Sequence, residues 1–299
     1  MTKVNVIPIR NQQRPFPFSK IIVYSVLIFY TLWLFAPMLT ILITSLTSSE
    51  QINSSLSFVW FPKISFEAYT AVFTQDQYMM DLGIPGLLLG FINTMWITLV
   101  PLTGSLFVSG VSAYVYAKYK FKGRKKLFTA SVITMTFPLG AFTVICYVFY
   151  SWIGWTDSPL PLIIPGLFGH CSTMFFLRMY FDSIPNGLLE SAKIDGAGFW
   201  SIFWKIMFPL AKPAFIAQFI FGFVGGYNNY MGALLYLGNN QQFVTLQLVL
   251  SGTRSFFNGQ GMQNIWSASA IMGMLPLIIL YVFLQKYFIE GVAVGGIKE

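Results

Sequence analysis

Along this chain, long stretches without one charged side chain alternate with short, densely charged ones, and the alternation predicts the elements. Six uncharged gaps run from Lys20 to Glu50, Asp81 to Lys118, Lys126 to Asp157, Asp157 to Arg178, Lys212 to Arg254 and Arg254 to Lys286. Each can hold the roughly 20 apolar residues that cross a bilayer as a helix, the form that bonds every backbone N–H and C=O within the segment. The pattern predicts helices at 21–46, 90–116, 127–150, 160–181, 214–237 and 266–288. The expected fold is all-α, a polytopic membrane protein with six transmembrane helices. A tail over 1–20, a six-helix domain over 21–290 and a second tail over 291–299 complete the division.

Composition agrees with that class, since 56% of the residues are hydrophobic and 9% are charged, against about 25% charged in a soluble domain. Charge adds the orientation, because Lys and Arg are retained on the cytoplasmic side. With the N-terminus inside, the inner segments hold Lys3, Arg10, Arg14 and Lys20, then "KYKFKGRKK" (118–126), then Arg178, Lys193, Lys205 and Lys212, and finally Lys286 and Lys298. Only Lys63 and Arg254 fall outside, so both termini are expected to be cytoplasmic. The net charge of +8 is thereby a topology signal. A nucleic-acid partner would need a soluble basic face, which the pattern does not offer. The run after Lys20 is longer than a secretory signal core and has no small-residue cleavage site, so it reads as an uncleaved first span.

The spans carry almost no titratable groups. His170 is the sole histidine and no Asp or Glu sits mid-span, which argues against an intramembrane enzyme and weakens a proton- or ion-coupled carrier. His170 beside Cys171 offers two ligands where a metal site needs three or four, and reads as packing. Cys146 and Cys171 lie within spans, where thiols behave as small hydrophobes. No cofactor or metal is expected, and no G-x-x-x-x-G-K-[ST] phosphate loop exists. Energy for any pumping must come from another chain.

One segment breaks the pattern. "LESAKIDGAGFWSIFWKIMFPLAKP" (189–213) places Glu190, Lys193, Asp195, Lys205 and Lys212 between spans four and five, on the side expected to be cytoplasmic. Pro185 and a candidate cap at Asn186 open a short helix on which Glu190 can pair with Lys193. Gly196 and Gly198 break it, and a second stretch presents Trp200, Phe203, Trp204 and Met207 at helical spacing before Pro209 and Pro213. Helix connections usually take two to eight residues, so a loop of this length asks for a purpose.

The pattern from Glu190 to Pro213 resembles the "EAA" loop of permease subunits in binding-protein-dependent ABC importers, carbohydrate branch. "NTMWITLVPLTGSLFVSGVSAYVYAKYKFKGRKK" (93–126), "FFLRMYFDSIP" (175–185) and "YFIEGVAVGGIKE" (287–299) extend the resemblance. Ser191 stands where the family usually has alanine, and "GGYNNYMGALLYL" (225–237) departs further from it. The resemblance implies a coupling loop (183–213) that docks on a cytosolic ATPase through Glu190, Ala192, Asp195, Gly196 and Ala197. Leu188, Ala192 and Ile194 would add an apolar contact. It also implies the partners: a second homologous permease subunit, two cytosolic ATPase subunits, an extracytoplasmic sugar-binding protein and the lipid bilayer of a prokaryotic cell membrane. The small residues Gly104, Ser105, Ser109, Gly110, Ser112 and Ala113 of span two are expected at the interface with the second permease.

Tyr227, Asn228, Asn229 and Tyr230 put amides and phenols into span five, which suits a hydroxyl-rich neutral ligand such as a carbohydrate. Interhelical hydrogen bonding and interfacial anchoring are the competing readings of the same four residues. An ABC permease for another solute, or a carrier working alone, are the alternatives to sugar import.

Overall fold

The uncharged run after residue 16 becomes one helix, α1 (Pro17–Ser45), in the computed structural model, which describes residues 17–54, 59–137, 139–238, 240–256 and 262–296. Lys3, Arg10, Arg14, Lys298 and most of the two expected tails lie outside the described residues. Short helices α2 (Ser49–Ser54), α3 (Glu67–Thr74) and α4 (Gln77–Leu82) lead to α5 (Gly86–Lys118), the expected second span. The last helix, α16 (Gln263–Gly296), covers the sixth span and extends into the segment assigned to the C-terminal tail. Among the described residues no strand forms; a single bridge joins Thr47 to Ile64.

Three expected spans are broken. In place of one helix over 127–150 stand α6 (Arg124–Thr134) and α7 (Thr143–Trp152), separated by a turn and a 3-10 segment, Leu139–Phe142. The sequence between them carries Pro138 and Gly140, which oppose helix continuation. The fifth span divides into α13 (Lys212–Tyr227) and α14 (Tyr230–Leu237), parted at Asn228 and Asn229. Among the described residues four stretches are each long and apolar enough to cross a membrane, Lys20–Ser45, Gly86–Lys118, Leu160–Ser183 and Gln263–Tyr287, and the bent pair Phe199–Leu210 with Lys212–Tyr227 makes a fifth if taken as one span. The Leu160–Ser183 stretch contains α8 (Leu160–Ile163), a 3-10 turn at Pro165–Phe168 and α9 (Cys171–Ser183), joined through Gly169 at φ 90°.

The connection to the fifth span contains α10 (Asn186–Ile194) and α11 (Phe199–Ile202), which continues through a π-helical turn at Phe203–Met207 into α12 (Phe208–Leu210). The axis then bends by 76° into α13. After α14, α15 (Leu246–Phe256) leads toward α16.

α5 is the central strut. Its buried positions Gly90, Asn93, Thr94, Ile97, Thr98, Ser105, Ser109, Gly110 and Ala113 recur every three or four residues, forming a stripe of small and hydroxyl side chains. Neighbours approach that stripe at glycines. A Cβ on Gly104 would meet Leu167 at 2.7 Å, one on Gly110 would meet Phe215 at 2.6 Å, and one on Gly226 would meet Thr98 at 2.6 Å. The small residues of span two expected to face a second permease are therefore largely occupied by this chain's own helices, because Gly104, Ser105, Ser109, Gly110 and Ala113 pack against Leu167, His170 and Phe215 or lie buried.

Apolar packing is concentrated at the two ends of α5. One cluster joins Ala113 and Tyr114 to Leu177, Phe181, Phe203 and Met207; the other joins Leu87 to Val72, Phe223, Val249 and Ile265. At the second end, buried amides satisfy the irregular backbone. Asn93 Nδ2 donates to the carbonyls of Gln242 and Val244, while Asn264 Nδ2 donates to the Thr47 carbonyl and to Ser49 Oγ. Such bonds are needed wherever non-helical backbone lies at membrane depth or beneath other elements.

Candidate functional site

The loop between α9 and α13 is built as a corner. Pro185 precedes α10 with extended ψ and supplies no side-chain cap. Asn186, expected to cap the helix, instead turns its Oδ1 to the ammonium of Lys118. α10 ends at Gly196, whose φ of +78° is a left-handed conformation that glycine adopts without the Cβ penalty. The corner is closed by bonds from Gly196 N to the Lys193 carbonyl and from Ala197 N to the Ala192 carbonyl.

This corner sorts the expected contact residues onto two faces. Glu190, Asp195 and Gly196 are exposed, together with Leu188 at 46% and Ile194 at 86% of full exposure. Ala192, only 6% exposed, packs inward with Leu189 against the cluster around Tyr114 and Phe203, and the partly buried Ala197 leans on the same cluster. Glu190 and Lys193 do not pair; Lys193 Nζ sits 5.1 Å from the centre of the Tyr119 ring. The four residues at helical spacing divide, and Trp200 and Trp204 are exposed. They lie nearly parallel to the exposed Phe107 ring, at centroid distances of 6.2 and 6.1 Å, while Phe203 and Met207 turn into the core.

Between the apolar clusters lies a cavity of about 570 Å³ enclosed by α5, the α8–α9 stretch and α13. Its lining is rich in hydroxyls and amides: Thr94, Thr98, Ser105, Gln218, Asn229 and Thr245. Among the described lining residues none is Asp, Glu, Lys or Arg. Thr245 is 6% exposed and its hydroxyl has no hydrogen-bond partner among the described residues, an arrangement that costs about 1 to 3 kcal/mol unless something completes it.

The four polar residues of span five do not act as one set. Tyr227 and Asn229 line the cavity. The Tyr227 hydroxyl is engaged, donating to the Gly273 carbonyl at 2.8 Å, and Asn229 Oδ1 caps α14 by accepting from Gly232 N. Asn228 instead accepts from Gln247, and Tyr230 from Ser251. Asn228 and Tyr230 thus stand as interhelical hydrogen-bonding residues, apart from the cavity. His170 lines the cavity, its backbone held by Ser109 Oγ, and among the described residues no group of three or more His, Cys, Asp or Glu gathers as a metal site. The contribution of α5 and Thr245 had no counterpart in sequence reasoning, because hydroxyls in an apolar run look alike whether they face a neighbour or a cavity.

Known proteins share this architecture. The arabinooligosaccharides transport system permease protein of Bacillus subtilis is 34% identical over 269 residues, covering 89% of this chain and 91% of that protein. The polygalacturonan/rhamnogalacturonan transport system permease protein of the same organism is 28% identical, covering 93% and 97%, respectively. Among solved structures, a chain of a bacterial ABC transporter involved in import of the acidic polysaccharide alginate superimposes with a TM-score of 0.79 at 24% identity, covering 94% of this chain and 100% of that one, a likeness of fold. Residues 105–294, which include the corner loop and most of the cavity lining, match the family described as binding-protein-dependent transport system inner membrane component. The chain belongs to that family of membrane transport components.

Proposed function

We propose that this chain is one permease subunit of an ATP-driven importer and passes an oligosaccharide delivered by an extracytoplasmic binding protein. A second homologous permease completes the path, and two cytosolic ATPase subunits supply the hydrolysis that this chain does not perform. The observation that carries the reading is the glycine-cornered loop, which holds an outward face of Leu188, Glu190, Ile194, Asp195 and Gly196 on a buried footing. Its size and mixed chemistry suit insertion into a groove on a partner, with a small apolar anchor and flanking charge. Ala192 and Ala197 serve from beneath by setting the height of that face on the core.

The cavity is the proposed sugar path. Neutral hydroxyls and amides at Thr98, Gln218, Asn229 and Thr245 can exchange hydrogen bonds with sugar hydroxyls. The names of the relatives, oligosaccharide transport permeases, support the same substrate class.

Glu190→Ala and Gly196→Pro in the assembled transporter test the coupling role. Proline cannot adopt φ +78° and removes the N–H that bonds to Lys193. Both variants should insert normally and lose uptake, with ATP hydrolysis no longer stimulated by loaded binding protein. Normal uptake in both would remove the coupling function from the loop.

A further inference from the structure

We propose that Lys118 fastens the corner loop to α5 and is the positioning residue through which movement of the loop reaches the cavity. The inference rests on the reading of that loop as the ATPase-docking element.

Lys118 is the last residue of α5, and its ammonium does not turn back to cap its own helix, as a terminal lysine commonly does. It crosses to the loop. Nζ donates to the Ile184 carbonyl at 2.6 Å and to Asn186 Oδ1 at 3.0 Å. Ile184 closes α9 and Asn186 opens α10. One cation therefore holds both residues flanking Pro185, the point where the chain enters the loop.

The adjacent Tyr119 extends the grip. Its ring receives Lys193 from the far end of α10, its hydroxyl bonds to that of Tyr114 at 3.1 Å, and both tyrosine rings lean on Phe199 at the start of α11, at 5.1 and 5.5 Å. The loop is thus attached to α5 at both ends of α10 and at the opening of α11. α9 and α13 are joined to the loop by the backbone, whereas α5 is joined to it through side chains: the apolar packing of Phe107 and Tyr114 on Trp200, Trp204 and Phe203, and the polar attachment at Lys118, which can be cut by itself.

The other part of α5 lines the cavity with Thr94, Thr98 and Ser105. From Thr94 to Lys118 the helix advances about 36 Å. A displacement imposed on α10 would accordingly be carried to the cavity wall along a single packed helix. Lys118 supplies the charge-assisted bonds at its near end.

The test uses the assembled transporter with its ATPase subunits and reads whether ATP at the loop end alters the cavity. Cys146 and Cys171 are replaced by serine and a single reporter is introduced by Ser105→Cys, probed by the rate of N-ethylmaleimide labelling with and without ATP. ATP should change that rate in the Lys118 background. Lys118→Met, which loses both charge-assisted hydrogen bonds, should shrink the change by at least about tenfold, the scale of one such bond, and Lys118→Arg, which retains donors, should restore it. An undiminished ATP response in Lys118→Met, or Arg as impaired as Met, overturns the proposal. Should the Met variant fail to accumulate, Asn186→Ala, which removes one acceptor of the same ammonium, must also weaken the response; an unchanged response overturns the proposal. A Lys193→Cys cross-link to an ATPase subunit separates the two levels. With the cross-link present, the labelling result judges Lys118; with no cross-link and no ATP response in the Lys118 background, the docking reading falls and takes this inference with it.

Discussion

Thr245 is the residue whose environment asks most directly for a ligand. Its hydroxyl is buried on the cavity wall with no partner among the described residues. Removing an unpaired buried hydroxyl in favour of a methyl should leave stability unchanged or slightly raised, since no bond is lost. Thr245→Val in the purified complex should keep or raise the melting temperature while lowering oligosaccharide uptake about fivefold, the effect of one neutral hydrogen bond. Unchanged uptake would remove Thr245 from the path. Asn229 is a less discriminating target, because its side chain also caps α14 and its loss would mix a stability cost of about 1 kcal/mol with any effect on transport. Sequence reasoning reached Asn229 because an amide in an apolar run stands out, and passed over Thr245 because a threonine does not. The orientation of Ala192 was equally hidden. On a helix of little more than two turns, which side faces inward depends on Tyr114 and Phe203, brought there from distant parts of the chain.

At the scale of elements, hydropathy predicted extents well where one helix fills one gap. The expected 21–46, 90–116 and 266–288 match α1, α5 and α16 closely, allowing for the extension of α16. It failed to see breaks, since an apolar average over a window is blind to backbone continuity. Pro138 with Gly140, Pro165 with Gly169, and the pair Asn228–Asn229 were the available signals for the three interruptions. Helix spacing was also partly legible, because glycines and serines along span two announced close approach, although the neighbour expected there, a second permease, is in large part replaced by this chain's own Leu167 and Phe215. That closeness gives a test. Gly166 lies against Pro101 of α5, and an added Cβ would stand 2.6 Å from the proline Cβ. A proline ring cannot swing aside, so Gly166→Ala must part the α8–α9 stretch from α5. The expected cost is about 1 to 3 kcal/mol, seen as a lower melting temperature. Unaltered melting would show that the two segments are looser than the contact indicates.

For the whole molecule, the distribution of basic residues makes a claim about sidedness. Lys63 lies in the segment that follows α1, while Lys122 and Lys193 lie beyond the far end of α5, and all three are exposed. With Cys146 and Cys171 removed, single cysteines in place of Lys122 and Lys193 should resist an impermeant thiol reagent in intact cells, and one in place of Lys63 should react. Labelling at 193 from outside would invert the orientation and detach the loop from any cytosolic partner. The membrane class and the corner loop were legible in the chain because both are local features of composition and spacing. The cavity was not, since its wall is assembled from α5, the α8–α9 stretch, α13 and Thr245, which only the folded packing brings together.

One feature of α1 bears on how the protein is made. From Lys20 to Thr40 the helix is exposed on every side, and its main neighbour within the chain is α16, the last helix. Residues 46–262 must be synthesised between the two, an interval of roughly 10 to 45 seconds at the usual pace of translation. During that time α1 resides in lipid as a solitary inserted span. The contact between α1 and α16, sealed by Asn264 on Thr47 and Ser49, forms only after α16 has been synthesised. A chain truncated before α16 would leave its first helix permanently unclaimed, a mark by which membrane quality control can tell an incomplete product from a complete one.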